Sequence, residues 1–439
     1  MKKSAIVLNI LLIILVILSL LSCKECPTEP EKAIPLNITA PYVESTIVWL
    51  RISSTDSTHQ KSYTVIRDSV IISEGLFIGK DTIIADRSVE PNTTYTYSVQ
   101  HSDDNFEPIA VTTMDISSND FTWEVLYFGE QNNTLQSVSI VDENDIWIVG
   151  LIEVWGWDSL DSEYDWIPYN ALHWDGIESE YISITPPYTG AFDVVHSIDD
   201  TSVWFGVNYP VLFSNGEFKM FENAPGLGWM LDIWGNSLDN TFFTYYDGGI
   251  AHYNGSTYHT MNSGTTTDLH DIDGNNERVF IVGYNIHAGY DRLILEYKNG
   301  VWNKTFSSNL VNGDLSIDDY GRFYSVKVLD DVAVISSSAV ATLKYYYHDH
   351  VVDIMPEKST PLKDCWAVRK IDGNAINDLA LISEGGEVVH YNGKDYVQIF
   401  DYEEEYSKSV SIYGGDFKGD VICAVGDGSG YGVVIIGRR

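Results

Sequence analysis

Between residues 153 and 170 the chain reads EVWGWDSLDSEYDWIPYN, which sets Trp155, Trp157, Tyr164 and Trp166 among Asp158, Asp161, Glu163 and Asp165. Indole and phenol faces stack on apolar faces of a ligand or on cationic groups, and carboxylates accept hydrogen bonds from hydroxyl or ammonium donors. One insertion of this composition suits recognition of a sugar or a basic peptide. The competing use is packing of a long loop onto its own neighbours, because aromatic-rich loops are normally folded over something. Carboxylates on the same surface could instead serve a glycosidase, which needs two of them converging across a bond. With 63 acidic residues in the chain, such pairs arise by chance and their presence decides nothing.

Other side chains with chemical potential reduce to local roles. His173, His252 and His390 recur at one position of a repeat. Repetition places them in separate units and explains them without a shared metal. The HDH of residues 348 to 350 reads as a solvated hairpin tip rather than a cation site. Asp-rich turns, DENDIW from 142 and IDDTSVW from 198, lack the glycine and glutamate spacing of a calcium loop, and turn chemistry accounts for them. No cofactor is expected, a structural Ca2+ in such turns being the single alternative. GDGSGYG at 426 to 432 has strands on both sides and no following helix, so it reads as a hairpin rather than a phosphate loop. No serine or cysteine stands in a recognisable nucleophile elbow.

The elements that must position these groups are repeats. ALHWDG at 171 returns as IAHYNG at 250 and VVHYNG at 388, with degenerate copies VLFSNG, ILEYKNG and LKYYYHDH. An apolar run precedes each, among them NDIWIVG, TSVWFGV, ERVFIVG and NDLALIS, with the composition of a strand covered on both faces. From Gly176 to Gly393 is 217 residues in five steps, or 217/5, about 43 per repeat. Several strands in about 40 to 45 residues is the period of a β-propeller blade. The hexad is then a third strand entering the outer hairpin, where Asn-Gly and Asp-Gly supply the positive backbone angles of two-residue turns. Seven such units are present, and the last lacks an outer strand. FTWEVLYF at 121 to 128 has the outer-strand pattern without a blade of its own, so it is expected to complete the seventh blade and leave no exposed sheet edge.

The NDIWxVG and HYxG style over about 121 to 439 resembles the degenerate propeller repeats of exported proteins and lipoproteins from Bacteroidetes-like bacteria. That resemblance implies a fold and leaves activity open. Upstream, short alternating runs such as TIVWLRIS and TTYTYSVQHS predict an antiparallel sandwich. Trp49 and VEPNTTYTYSV at 89 to 99 resemble the fibronectin type III pattern, which implies a spacer module in which the Tyr95 hydroxyl pins a turn. Sialidases share the propeller fold class but clamp a carboxylate with several arginines. Few arginines stand in the repeats, and SIDDYGRF at 316 approximates an Asp-box with one residue too many.

The amino terminus is two lysines, an apolar run from Ala5 to Leu21, then Ser22 and Cys23. This reads as an export signal, and LLSC resembles the bacterial lipobox, which implies lipidation of Cys23. The expected organisation is all-β: a lipoprotein signal peptide at 1–22, a stalk at 23–33, a fibronectin type III-like domain at 34–117 and a seven-bladed propeller at 118–439. Cys365 and Cys423 sit in apolar contexts that suit buried free thiols. The formal charge of −37 becomes −39 once the two signal lysines are removed, a surface that repels nucleic acid.

In a propeller the second-to-third-strand loops and the inter-blade loops share one face. Trp155, Trp157, Tyr164, Trp166, Tyr188, Tyr209, Trp229, Tyr284, Tyr290 and Tyr431 are expected there as ligand contacts. The expected function is a non-catalytic binding lipoprotein of the bacterial cell envelope. It would be anchored by lipid at the outer membrane or cell surface and would offer this face to a glycan or a protein. The alternative is a carbohydrate-active enzyme using the acids of the same face.

Overall fold

The computed structural model describes residues 35–101, 104–158, 163–184, 190–221, 227–285, 291–307, 322–337, 342–348, 350–354 and 367–439. The signal, the stalk, Cys23, Cys365, Asp161, Tyr188 and Tyr290 lie outside them, as does most of the Asp-box-like segment. The chain forms two compact units, one of residues up to 113 without 44–46 and 90–92, the other of those two segments and 114–439.

The first unit is a sandwich of a three-stranded and a five-stranded sheet. Its strands alternate buried and open positions, as in Leu36–Val43, so each sheet turns one apolar face inward. Ile38, Leu50, Ile52, Val65, Tyr97 and Val99 fill the space between. Tyr97 is the fully buried tyrosine, and its hydroxyl donates to Asp86 Oδ2 at 2.9 Å. Asp86 also accepts from Arg67 at 2.7 Å. Against the cost of burial, hydrogen bonds from Ser88 and Tyr97 and the Arg67 charge hold its carboxyl below the usual range. Tyr95 lies under the Arg67 guanidinium at 5.0 Å.

The second unit is a seven-bladed β-propeller of seven four-stranded antiparallel sheets. Six sheets use consecutive strands. The seventh takes Ser411–Lys418, Val421–Gly428 and Tyr431–Arg438 from the end of the chain and Thr122–Phe128 from before the first blade. Val125 stands opposite Ile435 and Leu126 opposite Val434, so the ring closes where the upstream strand was expected to close it. The second strands are covered on both faces; Ser202–Gly206, Val332–Ser337 and Asp378–Ser383 are buried throughout. Among the described residues, the apolar clusters of this unit each span two neighbouring blades, as where Leu135, Ile140 and Ile148 of the first meet Cys423, Val425 and Val434 of the seventh. Cys423 is a buried free thiol.

Close approach explains a glycine inside several second strands, opposite the start of the inner strand. A Cβ at Gly150, Gly283 or Gly426 would collide with backbone at the start of the neighbouring inner strand or just before it, at Thr134, Asp268 and Ser411 respectively. The inner strands bulge at these points, and only a residue without a side chain leaves room for the bulge.

The outer hairpins differ in part from expectation. Asn215-Gly216 and Asn299-Gly300 are two-residue turns with positive φ at both positions. At Asp175, Asn254 and Asn392 the loop is four residues, and only the following glycine has positive φ. There the side-chain oxygen accepts two backbone N–H groups, from Ile177 and Glu178, Ser256 and Thr257, or Lys394 and Asp395. Side-chain capping of this kind makes the longer turn as regular as the short one.

An axial funnel and an aromatic ribbon

Inner strands line the propeller axis: Thr134–Asp142, Val194–Asp199, Met230–Ser237, Leu269–Gly274, Phe323–Leu329, Val368–Ala375 and Ser411–Lys418. They surround a cavity of about 650 Å³. Their polar residues form a belt in which one blade's side chain accepts a backbone N–H from the next. Ser137 and Ser139 accept from Val195 and Ser197, and His196 Nε2 from Gly235. Asp232 accepts from Ile272, Asp271 and Asp273 from Val326 and Val328, and Ser325 from Ile371. Asp416 returns to the first blade through Ile140. Six of the seven junctions are thus bridged at the axis, satisfying N–H groups that would otherwise face a confined space.

Two carboxyl pairs and two lysines occupy the middle of the wall. Asp232 hydrogen-bonds Asp271, and burial together with the Asp271 charge raises Asp232 well above the usual carboxylate range. Asp416 hydrogen-bonds Asp372, and burial with the Asp372 charge pushes Asp416 up to about 7. Lys370 Nζ is 2.6 Å from Asp271, and Lys327 Nζ is 2.6 Å from Asp372. Those carboxylates keep both ammonium groups charged in spite of burial. Burial lowers His196 and His270 to about 4, so both are neutral at pH 7.

The mouth lies where inner strands begin and second strands end, which antiparallel pairing brings to one face, as at Met230 opposite Tyr245. Asp193, Trp229, Tyr246, Tyr284, Tyr324 and Tyr413 line it. Trp229 is 49% exposed, and its indole N–H donates to Asp193 Oδ2 at 2.5 Å, which fixes the ring. Tyr284 stacks on His270 at 3.9 Å and meets Tyr324 edge-on at 5.6 Å. Arg369 lies 5.2 Å from the Tyr324 ring and pairs with Glu384.

Of the aromatic residues expected at a ligand face, Trp229 and Tyr284 therefore line the funnel. Trp155, Trp157, Tyr164 and Trp166 do not, and their segment is a two-stranded ribbon rather than a loop. Strands Asp145–Asp158 and Glu163–Trp174 continue pairing for seven residues, Ile152 to Asp158, beyond the last inner-strand partner. At ~3.3 Å per residue the ribbon extends about 20 Å past the mouth face. Trp155 pairs with Trp166 and Trp157 with Tyr164. Strand alternation puts these four on one side and Asp158, Glu163 and Asp165 on the other, so the aromatics and acids expected side by side are separated. Ring contacts at 5.3 and 5.4 Å tie the ladder together, yet Trp155, Trp157 and Tyr164 stay 47%, 55% and 61% exposed. Tyr209 is half-buried between the first two blades, and Tyr431 meets Tyr127 edge-on at 6.2 Å beside the Ser429-Gly430 turn.

The repeated histidines serve their own blades. His173 bonds Asp145 at 2.9 Å, His252 bonds Asn240 at 3.0 Å and His390 bonds Asp378 at 2.8 Å. Each partner opens the adjacent second strand. Arginines are likewise engaged: Arg278 with Glu296, and Arg439 with both oxygens of Asp378. The Asp-rich turns are closed by their own aspartates, Asp142 accepting from Asn144 and Asp199 from Thr201. The belt is not among the residues expected from the sequence, where the apolar second strands dominate the repeat; its signal there is the recurring polar residue in VSIVDEN, LDIWGNS, HDIDGNN, RKIDGNA and GGDFKGD.

No protein-family profile matches the chain, and no curated protein sequence is significantly similar to it. Solved structures similar to it include YCF48 bound to D1 peptide, with a TM-score of 0.54 and 12% identity over 74% of this chain and 100% of that one. YCF48 from Cyanidioschyzon merolae gives a TM-score of 0.50 and 12% identity over 72% and 98%. The likeness is one of fold.

Proposed function

We propose that the chain is a non-catalytic binding protein of the bacterial cell envelope, anchored by lipid at Cys23, whose propeller receives a glycan or protein ligand at the funnel mouth. One observation carries this reading: a cavity of about 650 Å³ opens beneath an aromatic rim in which Trp229 is both exposed and held in place. Concave sites of ~300–1,000 Å³ with a few convergent polar groups are where small ligands and side chains bind. The aromatic side of the ribbon stands beyond the same face and offers a second contact surface.

The enzymatic reading is weaker on geometry. Glycosidase carboxyls stand ~5–10 Å apart across the bond they cleave. Here Asp372 and Asp416 hydrogen-bond each other, as do Asp232 and Asp271, and the lysines neutralise them. The ribbon acids lie opposite the aromatic ladder.

The test is an array of glycans and envelope proteins probed with the full-length protein in a zwitterionic detergent, then with Trp229→Ala. Binding that the substitution weakens supports the mouth as the ligand site. Silence across the array, or binding indifferent to the substitution, refutes it.

A further inference from the structure

We propose, resting on the funnel as the ligand site, that its ligand is a neutral saccharide, one sugar unit of which enters the funnel and stacks on Trp229. The whole chain carries −37 charges, yet the funnel does not share that excess. Its lining holds six carboxyls, at Asp193, Asp232, Asp271, Asp273, Asp372 and Asp416, against four cations, at Lys327, Arg369, Lys370 and Lys418. Asp232 hydrogen-bonds Asp271 and Asp416 hydrogen-bonds Asp372, and a proton shared within each such pair removes negative charge, so the funnel stands closer to neutral than the count of groups.

The charges of the middle wall are also matched. Lys370 sits on Asp271, Lys327 on Asp372 and Arg369 on Glu384. A guanidinium or ammonium group reaching this middle belt would find Asp271 and Asp372 already paired, and an anion there would have to draw a lysine out of a buried pair, at a desolvation cost that such pairs rarely recover. Asp193 at the rim is engaged by the Trp229 indole, and Lys418 is exposed at the far end of its strand, outside the belt. A neutral polyol meets neither obstacle, because hydroxyls both donate and accept and can insert between aspartate and serine oxygens without changing the charge. The Ser197 hydroxyl lines this wall, buried and without a hydrogen-bond partner among the described residues. The rim supplies the remaining element of sugar recognition, an exposed indole locked by Asp193, with Tyr246 next to it and Tyr413 exposed on another blade of the same rim.

Calorimetric titration of the full-length protein in a zwitterionic detergent tests this with three probes: neutral hexose- and N-acetylhexosamine-terminated oligosaccharides, a sialylated trisaccharide, and tri-arginine. The expected result is binding of a neutral oligosaccharide with affinity changed less than about twofold between roughly 50 and 500 mM salt, since no net charge is screened. Trp229→Ala, at a half-exposed position, should weaken it by about tenfold or more through loss of stacking, with the melting temperature unchanged. Tyr413→Ala provides a second, independent loss. Binding of tri-arginine or the sialylated probe alone, steeply weakened by salt, overturns the neutral-sugar assignment while leaving the mouth as a binding site. Neutral-sugar binding that neither substitution touches overturns the placement in the funnel. No binding of any probe, together with a silent array, overturns both readings.

Discussion

Asp416 Oδ2 accepts the backbone N–H of Ile140 at 2.6 Å across 276 residues of chain. The bond joins the last inner strand to the first, so the ring is closed at its axis as well as at its rim. Asp416 also hydrogen-bonds Asp372 and holds its proton to about pH 7, where an ordinary aspartate titrates at 3.8. The folded chain therefore binds this proton more tightly than the unfolded chain. The resulting stabilisation is complete below pH 3.8, declines between about 4 and 7 and is absent above. Asp416→Asn keeps the acceptor for Ile140 and a donor toward Asp372 at every pH. The variant should match the parent at pH 4 and exceed it by ~2–4 kcal/mol at pH 8, read from urea unfolding midpoints. A difference that does not change with pH would contradict the shared proton.

Lys370 gives the converse test. Its ammonium group is 2.6 Å from Asp271, which also accepts from Val326 N and Ser325 Oγ. Lys370→Met leaves Asp271 and Asp232 without their cation in a confined cavity. The expected loss is about 3–5 kcal/mol, the cost of breaking a buried pair from one side. Adding Asp271→Asn should restore part of it, because the amide can still accept from Val326. Thermal denaturation of the single and double variants decides this, and a double variant no better than the single one counts against charge isolation as the cause.

Legibility followed covalent periodicity. The second strands announce themselves because burial on both faces forces aromatic and branched residues at a fixed spacing, the third strands by the hexad they share, and the outer-strand pattern of Trp123 and Val125 assigned the closing strand to the blade at the far end of the chain. The inner strands are bulged and carry polar residues, so Asp232, Asp271, Lys327, Lys370 and Asp416 give no periodic signal in the sequence. Their meaning arises only when seven such strands converge on an axis. The ribbon illustrates a different gap. Trp155 and Trp157, two apart, already carry strand alternation, but the intervening Gly156 and the acids around it made the segment look like a loop, and only cross-strand register separates the aromatic side from the acidic side.

Gly426 tests the bulge. In the seventh blade a side chain there meets the Ser411 carbonyl and the Ile412 backbone, which cannot retreat without breaking the pairing of Ile412 with Gly426. Gly426→Ala should cost about 2–3 kcal/mol, in the range of overpacking a rigid site. Gly419→Ala is a control with open space but a φ of 60°, so its smaller loss, about 1 kcal/mol, reflects backbone strain alone. Equal unfolding midpoints for the two variants would mean that the inner strand yields.

The ribbon separates stability from recognition. Trp157 and Tyr164 face each other at 5.4 Å on a two-stranded extension whose residues have no inner-strand partner. Trp157→Ala with Tyr164→Ala removes cross-strand contacts worth ~0.5–1.5 kcal/mol locally, but the seven blades share no core with this pair. The melting temperature of the propeller should therefore stay within about 2 °C of the parent, while tryptophan fluorescence and amide exchange along 152–169 register a loosened ribbon. If the aromatic ladder is a second contact surface, ligand captured on the array is lost faster from this double variant with little change in its rate of association, as interface truncations act mainly on dissociation. A large fall in melting temperature would instead assign these rings to the fold and remove them from recognition.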